Sequence, residues 1–356
     1  MTTALSAATP RAAGYRQPAE WAEHRAVWIA WPSHADLWEE ALEPVREAWL
    51  EMARAVADID PATGSARGER LEVLVPDERR ETEARARMTG LPARFHRIPF
   101  GDIWLRDTAP VFVAGPEGVA AVSFAFNGWG GKWVLEGDDL VSPRLALAAR
   151  MRGFSFPWVL EGGSVDVDGK GTCLTTTECL RNPNRNPGMS TEELEAGLRE
   201  ALGAETVLWL SGGLRNDHTD GHVDNLARFV AEGVVVCMRP SGPDDPNADT
   251  LRTVERELRS FRDAEGRKLE VLTVPSPGLV PDDTGAPRPA SHVNFFVGNR
   301  AVVVPVFGGP SDDPALRALE PLFPGRRVTG VAARDLLSGG GAWHCITQQE
   351  PRGSVR

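Results

Sequence analysis

Two histidines and two aspartates fall within eight residues in "HTDGHVDN" (218–225), directly after Asn216 and Asp217. An imidazole beside a carboxylate can move protons or hold a cation. A metal site would need His218 and His222 together. Their i,i+4 spacing works on a helix, but Thr219 and Gly221 oppose helix there, and no third ligand stands out. If 222–230 is a strand, His222 and Asp224 point one way, and Val223 and Asn225 the other. A polar turn entering a strand explains Asp217 and His218 better than it explains His222 and Asp224.

A second stretch, "GGGAWHCITQQEP" (339–351), brings three glycines up to Cys345. Glycines let a backbone approach closely or take positive φ, so this reads as a nucleophile on a tight loop. Cys173, Cys179 and Cys237 lie in or beside apolar runs and read as small buried hydrophobes. His344 would diverge from Cys345 on extended backbone. In "FGDIWLRDTAPVFV" (100–113), Trp104 and Asp107 flank Arg106, and a structural salt bridge from Asp102 or Asp107 is the plain alternative. In "EGGSVDVDG" (161–169), Glu161 precedes two glycines, which alone means little. Taken jointly, Cys345 is the nucleophile, His222 the acid/base, and Asp107, Asp224 and Glu161 the carboxylates. Three carboxylates exceed what a Cys-His-Asn protease uses. They suit a guanidinium, whose forked N–H donors carboxylates bind bidentately.

The elements that must position these residues recur in one order. Hairpins are predicted at 110–126, 164–177, 222–238 and 292–306, each followed by a helix and a strand. The helices are 138–151, 190–203, 249–263 and 313–323; the strands are 156–160, 206–210, 269–274 and 326–331. Ser190 and Glu193 form a capping box. Leu251, Val254, Leu258 and Phe261 share one helical stripe. The N-terminal part is a looser version, with 26–32, 37–58 and 71–76. The alternative is an irregular α/β sheet. Because one ββαβ unit cannot bury both faces of its sheet, the reading is a squat propeller of five units, a single domain over 18–351. Asp107, Glu161 and His222/Asp224 sit at matching places and would converge on its axis. Residues 1–17 read as a loose tail, and 277–290 as a surface loop.

Bulk properties narrow the partners. The chain has 356 residues, is 42% hydrophobic and 25% charged, and carries a net charge of -11. Nucleic acid and anionic membrane are excluded as main partners, since both require basic surface. No apolar run approaches a membrane span of ~18 residues. Four cysteines without a CxxC pair read as free thiols of a reducing cytoplasm.

At this point the sequence resembles the agmatine deiminases of the bacterial peptidylarginine-deiminase-like family. The resemblance rests on "WIAWP", "IWLRDTAPVFV", "FNGWGG", "EGGS", "TTECLRNPNRNP", "TDGHVDN" and "GGGAWHCITQQ", in the family's order from about residue 18 to 351. It implies the pentein fold, five ββαβ units around a pseudo-fivefold axis. It also implies hydrolysis of agmatine to N-carbamoylputrescine and ammonia, with no metal or organic cofactor. By resemblance, Cys345 attacks the guanidinium carbon through an S-alkylthiouronium intermediate. Asp107 and Asp224 hold the guanidinium, His222 moves protons, Glu161 orients His222, and Trp104 lines the channel. A homo-oligomer is common among such enzymes.

There are departures from the family's pattern. Ala342-Trp343 stands where Asn-Ile is common, so Trp343 is expected to reshape the substrate-tail pocket. Asp217 or Asp220 is a candidate for the far amine. Alternatives are deimination of free or peptidyl arginine, a catalytically silent pentein scaffold, and a Cys-His amidohydrolase. A basic residue at the tail, with Arg106 and Arg215 the ones to watch, would favour arginine.

Overall fold

The computed structural model describes residues 9–60 and 62–353. Its strands form five small sheets, four of three strands and one of four. In each, a central strand pairs antiparallel on one side and parallel on the other, which is the ββαβ unit of the pentein propeller. The first sheet holds β1 (His24–Ala30), β2 (Arg70–Val75) and β3 (Ala93–Arg97). The next four sheets run in chain order. They are β4 (Val111–Gly115), β5 (Gly118–Ala125) and β6 (Arg152–Val159); β7 (Asp166–Val167), β8 (Thr172–Thr176) and β9 (Thr206–Leu210); β10 (Ala227–Ala231), β11 (Val234–Arg239) and β12 (Glu270–Pro275); and β13 (Phe296–Val297), β14 (Ala301–Val306) and β15 (Arg327–Ala332). The chain ends in β16 (Gln348–Pro351), which pairs antiparallel with β1 from Trp28↔Gln348 to His24↔Pro351. The C-terminal strand thus completes the N-terminal unit and closes the ring.

The helices form for local reasons and pack for global ones. Ser190 caps the helix Thr191–Leu202 in a full capping box with Glu193. The helix Ala248–Ser260 buries Leu251, Val254 and Leu258. It packs on β11 and β12 of its own unit and on β9 of the preceding one. The helix Asp312–Leu319 likewise packs on β15 and β12, and Leu42–Ala57 on β2, β14 and β15. These three helices therefore cover seams between neighbouring sheets, burying faces that one unit leaves open.

Several boundaries differ from the sequence reading. β6 begins at Arg152 rather than 156, and β3 with the helix Glu78–Arg87 was not anticipated. The first hairpin strands of three units start late: β7 at Asp166, β10 at Ala227 and β13 at Phe296. The residues ahead of β7 and β10 form one-turn helices, Gly162–Ser164 and Val223–Asn225. Residues 1–8 of the expected tail lie outside the described residues. Residues 9–17 are packed rather than loose: Tyr15 is buried against Gly115 and Phe154, and Arg16 bridges to Ala114. Within 277–290, Val280 and Ala290 are buried and Pro281 bridges to Pro287, so this loop is anchored at both ends.

The strand turns are tied together by a buried ionic network. Arg228 on β10, fully buried, pairs with Glu20 and Asp166 and donates to the Phe295 carbonyl at 2.8 Å. It joins the N-terminal segment to three units. Replacing Arg228 with Met leaves two buried carboxylates without their cation and is expected to cost about 3–5 kcal/mol. Urea unfolding measures this, and a cost below about 1 kcal/mol, the level of an exposed ion pair, would contradict the role.

Candidate active site

Three one-turn helices carry the carboxylates and the imidazole. Leu105–Thr108 holds Asp107; Gly162–Ser164 follows Glu161; Val223–Asn225 holds Asp224 and has His222 as its N-cap. Each stands just ahead of its unit's first strand, and the middle one packs against both others. The same place in the remaining units is filled by Asn294, ahead of β13, and by Cys345, ahead of β16. All five converge. Gly163 sits at the centre: a methyl group there would meet His222 Nδ1 at 2.5 Å, Asp224 Oδ2 at 3.0 Å and Asp107 Oδ1 at 3.1 Å. The second glycine of "EGG" is thus required by close approach.

Cys345 is 5% exposed. Asn294 Nδ2 donates to its Sγ at 3.2 Å, and Asp224 Oδ2 lies 3.7 Å from the sulfur. Burial and the charges of Asp224 and Asp107 push the thiol well up, against the Ala342 backbone and Asn294 hydrogen bonds. Asp107 accepts from Gly163 N at 2.9 Å and Trp129 Nε1 at 2.8 Å. Its pKa is raised by burial, opposed by His222 and reinforced by Glu161 and Asp224. His222 is fully buried, with Nδ1 3.8 Å from Asp107 Oδ2, and neither ring nitrogen has a hydrogen-bond partner among the described residues. Burial alone would lower its pKa. Asp107, Glu161, Asp224 and Asp217 outweigh that and raise it. Asp224 Oδ1 is likewise unpartnered.

Glu161 is held by Arg185, whose Nε donates to Oε1 at 2.6 Å. Glu161, Cys179 and His222 place three metal-ligand-type atoms within 4.8 Å of one another. Burial and Glu161 push the Cys179 thiol up. The Arg185 cation already occupies the Glu161 carboxylate, which opposes a second cation there.

A cavity of about 160 Å³ leads to Cys345. Its walls include Trp104, Trp129, Trp133, Leu37, Asp102 and Asp107. Trp104 and Trp38 both donate to Asp102, at 2.7 and 3.0 Å, and pack on Gly339. Gly341 fits between Trp104 and Cys345. Trp129 adopts φ +52, a strained conformation held between Gly128 and Gly130 that aims its indole N–H at Asp107.

Several sequence expectations are corrected here. His222 and Asp224 belong to a turn, not a strand; Gly221, at φ +79 and packed on Gly213, bends the chain ahead of them. His218 is exposed at the cavity mouth, apart from buried His222. Trp343 does not reach the substrate pocket. It is fully buried and donates to the Val331 carbonyl at 3.0 Å. Asp220 does not line the cavity either, because Arg185, Asn184 and Lys132 occupy its carboxylate. Arg106 makes no salt bridge with Asp102 or Asp107. It donates through its backbone N–H to Cys345 O at 3.0 Å, through Nε to His344 O at 3.3 Å and through Nη1 to Gln348. Asn294 and Glu20 were missed, and His344, set aside as diverging from Cys345, stands behind Asp224. Asn294 had a signal: "HVN" stands ahead of its strand as "HVDN" does one unit earlier.

Fold and site together define a pentein with a thiol set among carboxylates. The chain belongs to the Porphyromonas-type peptidyl-arginine deiminase family, whose model matches residues 16–351. It is 40% identical to the agmatine deiminase of Ectopseudomonas mendocina (strain ymp), over 99% of both chains. It is 39% identical to that of Pseudomonas aeruginosa (strain LESB58), over 96% of this chain and 97% of the other. The solved structure of the Enterococcus faecalis agmatine deiminase superposes with a TM-score of 0.90 at 31% identity, covering 99% of this chain and all of that one.

Two outcomes follow from this geometry. Gly163→Ala removes no functional group but displaces three, and is expected to lower kcat/KM by about 100-fold with the fold retained. Unchanged kinetics would contradict the packing. His222, with its pKa raised, contributes charge-linked stability in full below the ordinary histidine range, and this is lost as pH climbs through the folded value. Wild type should therefore lose stability relative to His222→Gln as pH rises. A pH-independent difference between the two melting curves would oppose this.

Proposed function

We propose that this chain is an agmatine deiminase, hydrolysing agmatine to N-carbamoylputrescine and ammonia. The observation that carries the reading is the surplus of buried carboxylate around one thiol. Asp107 and Asp224 flank Gly163 beside Cys345, and Asp224 Oδ1 has no partner among the described residues. A guanidinium supplies the missing charge and donors at once.

The chemistry then follows. Burial and the charges of Asp224 and Asp107 push the Cys345 thiol up; the substrate cation offsets those charges and so favours the thiolate, the thiol proton passing to solvent. The thiolate adds to the guanidinium carbon. His222, kept protonated by its carboxylate neighbours, gives its proton to the departing nitrogen, which leaves as ammonia. The neutral imidazole takes a proton from the attacking water, and collapse of that adduct expels Cys345 and yields the ureido product. Such acid–base assistance is typically worth about 10²–10⁴-fold. Glu161, anchored by Arg185, contributes to the field that keeps His222 charged.

The tail end supports an amine. Among the described residues, none lining the cavity is Lys or Arg, whereas Asp102 is there among tryptophans. Buried Arg106 donates to the His344 carbonyl and Gln348, and neither it nor exposed Arg215 lines the cavity. A free or peptidyl arginine would bring a carboxylate or carbonyl to a wall without a cation. A small linear cation matches the enclosed volume and the aromatic lining.

Ureido-product formation with agmatine and arginine side by side tests both parts. Agmatine should be favoured by about 100-fold in kcat/KM. Cys345→Ala should lower turnover by about 10⁴-fold or more. Equal use of arginine would overturn the substrate, and turnover surviving in Cys345→Ala would overturn the nucleophile.

A further inference from the structure

His344 is the neighbour of the nucleophile in sequence but faces away from the cavity. It is 2% exposed, and both ring nitrogens meet carboxylate oxygens. Nδ1 lies 2.7 Å from Asp224 Oδ2, and Nε2 lies 2.9 Å from Glu20 Oε2. Both nitrogens thus face acceptors, and a ring that donated at both ends would carry both protons. Glu20 is fixed in turn by Arg228 and by the Val297 N–H at 2.7 Å. Burial alone would raise the Glu20 pKa; Arg228 and His344 outweigh it and hold this carboxyl well below the usual range. On Asp224, burial is outweighed by the His344 hydrogen bond and charge, with His222 and Arg228 adding to it.

Two donors compete for Asp224 Oδ2. One is His344 Nδ1 at 2.7 Å; the other is the Cys345 thiol at 3.7 Å. The imidazole has the shorter contact. We propose that His344 is a positioning residue, a doubly protonated clamp that occupies Asp224 Oδ2 and leaves Oδ1 to the substrate's guanidinium. With the imidazole in place the thiol is only the longer-range donor to that oxygen, and it also reaches Asn294 Oδ1 at 3.4 Å. It also sets a fixed cation beside a site crowded with negative charge. The groups facing it are Asp224 from the Val223–Asn225 turn, Glu20 from the N-terminal segment, and Arg106, which holds the His344 carbonyl; Arg228 and Asp166 stand behind Glu20. The inference rests on the deiminase reading and adds to it how Asp224 is aimed.

Asparagine and glutamine separate the two ends of the ring. In His344→Asn the amide stands near Nδ1 and keeps a neutral donor toward Asp224. In His344→Gln it stands near Nε2 and reaches toward Glu20 instead. Both lose the charge, so both should move the acidic limb of kcat/KM upward by about one pH unit. His344→Gln should in addition raise KM and lower kcat/KM by about 10- to 100-fold, with His344→Asn retaining the better KM. Folded variants whose pH profile and KM match wild type would overturn the proposal. Nitrogen NMR of the wild-type ring needs no variant. An imidazolium signature at His344 near neutral pH supports the clamp, and a neutral tautomer overturns it. Wild type that turns over no guanidine would sink the deiminase reading instead, while the ring's protonation state would still decide the clamp.

Discussion

The structure depends on one electrostatic constraint. Asp107, Glu161 and Asp224 are buried together beside a thiol, and their charges must be answered. Some of the answer is built in. Arg185 holds Glu161, His344 holds Asp224, and Asp107 accepts only neutral donors. The remainder is left to His222 and to the substrate. A buried carboxylate cluster is costly unless it is paired. In the mechanism proposed above, this incomplete pairing supplies binding energy for a cation, and the thiolate forms when that cation arrives.

The propeller makes such a site buildable from short pieces. Each unit ends its preceding loop in a tight turn and sends one or two side chains to the axis. Asp107, Glu161, His222 with Asp224, Asn294 and Cys345 come from five different units. No single loop has to hold the whole constellation. The ring is closed by β16 on β1, which places Cys345, three residues ahead of β16, against the turn that carries Asp107. The Glu20–Arg228–Asp166 network then locks the N-terminal segment onto the same axis, on the side of the nucleophile away from the cavity.

Much of this was legible from local pattern. Hydrophobic period, turn residues and the Ser190 capping box placed four of the five units, and polar residues at matching offsets pointed to Asp107, Glu161, His222 and Asp224. What escaped was non-local or short. β16 is "QQEP", with no apolar alternation to reveal a strand, and its partner lies more than 300 residues away. Glu20 gains meaning only through distant partners, Arg228, Val297 and His344, the nearest of them 208 residues on. His344 was set aside because adjacent side chains diverge on extended backbone, but residues 343–346 form a turn. Trp343 looked obstructive on size alone; that turn sends it into the core instead. Asp220 looked free because its partners Arg185, Asn184 and Lys132 come from distant loops.

The central claim is that substrate charge, not the resting protein, brings Cys345 to its thiolate. The direct test is the ultraviolet thiolate absorbance of Cys345, taken as wild type minus Cys345→Ser and titrated with pH. It is read with and without a saturating, unreactive guanidinium-type ligand. The account predicts an alkaline titration in the free enzyme and a clear shift to lower pH with the cation bound. A thiolate already present at neutral pH in the free enzyme, or a titration indifferent to the cation, would contradict it.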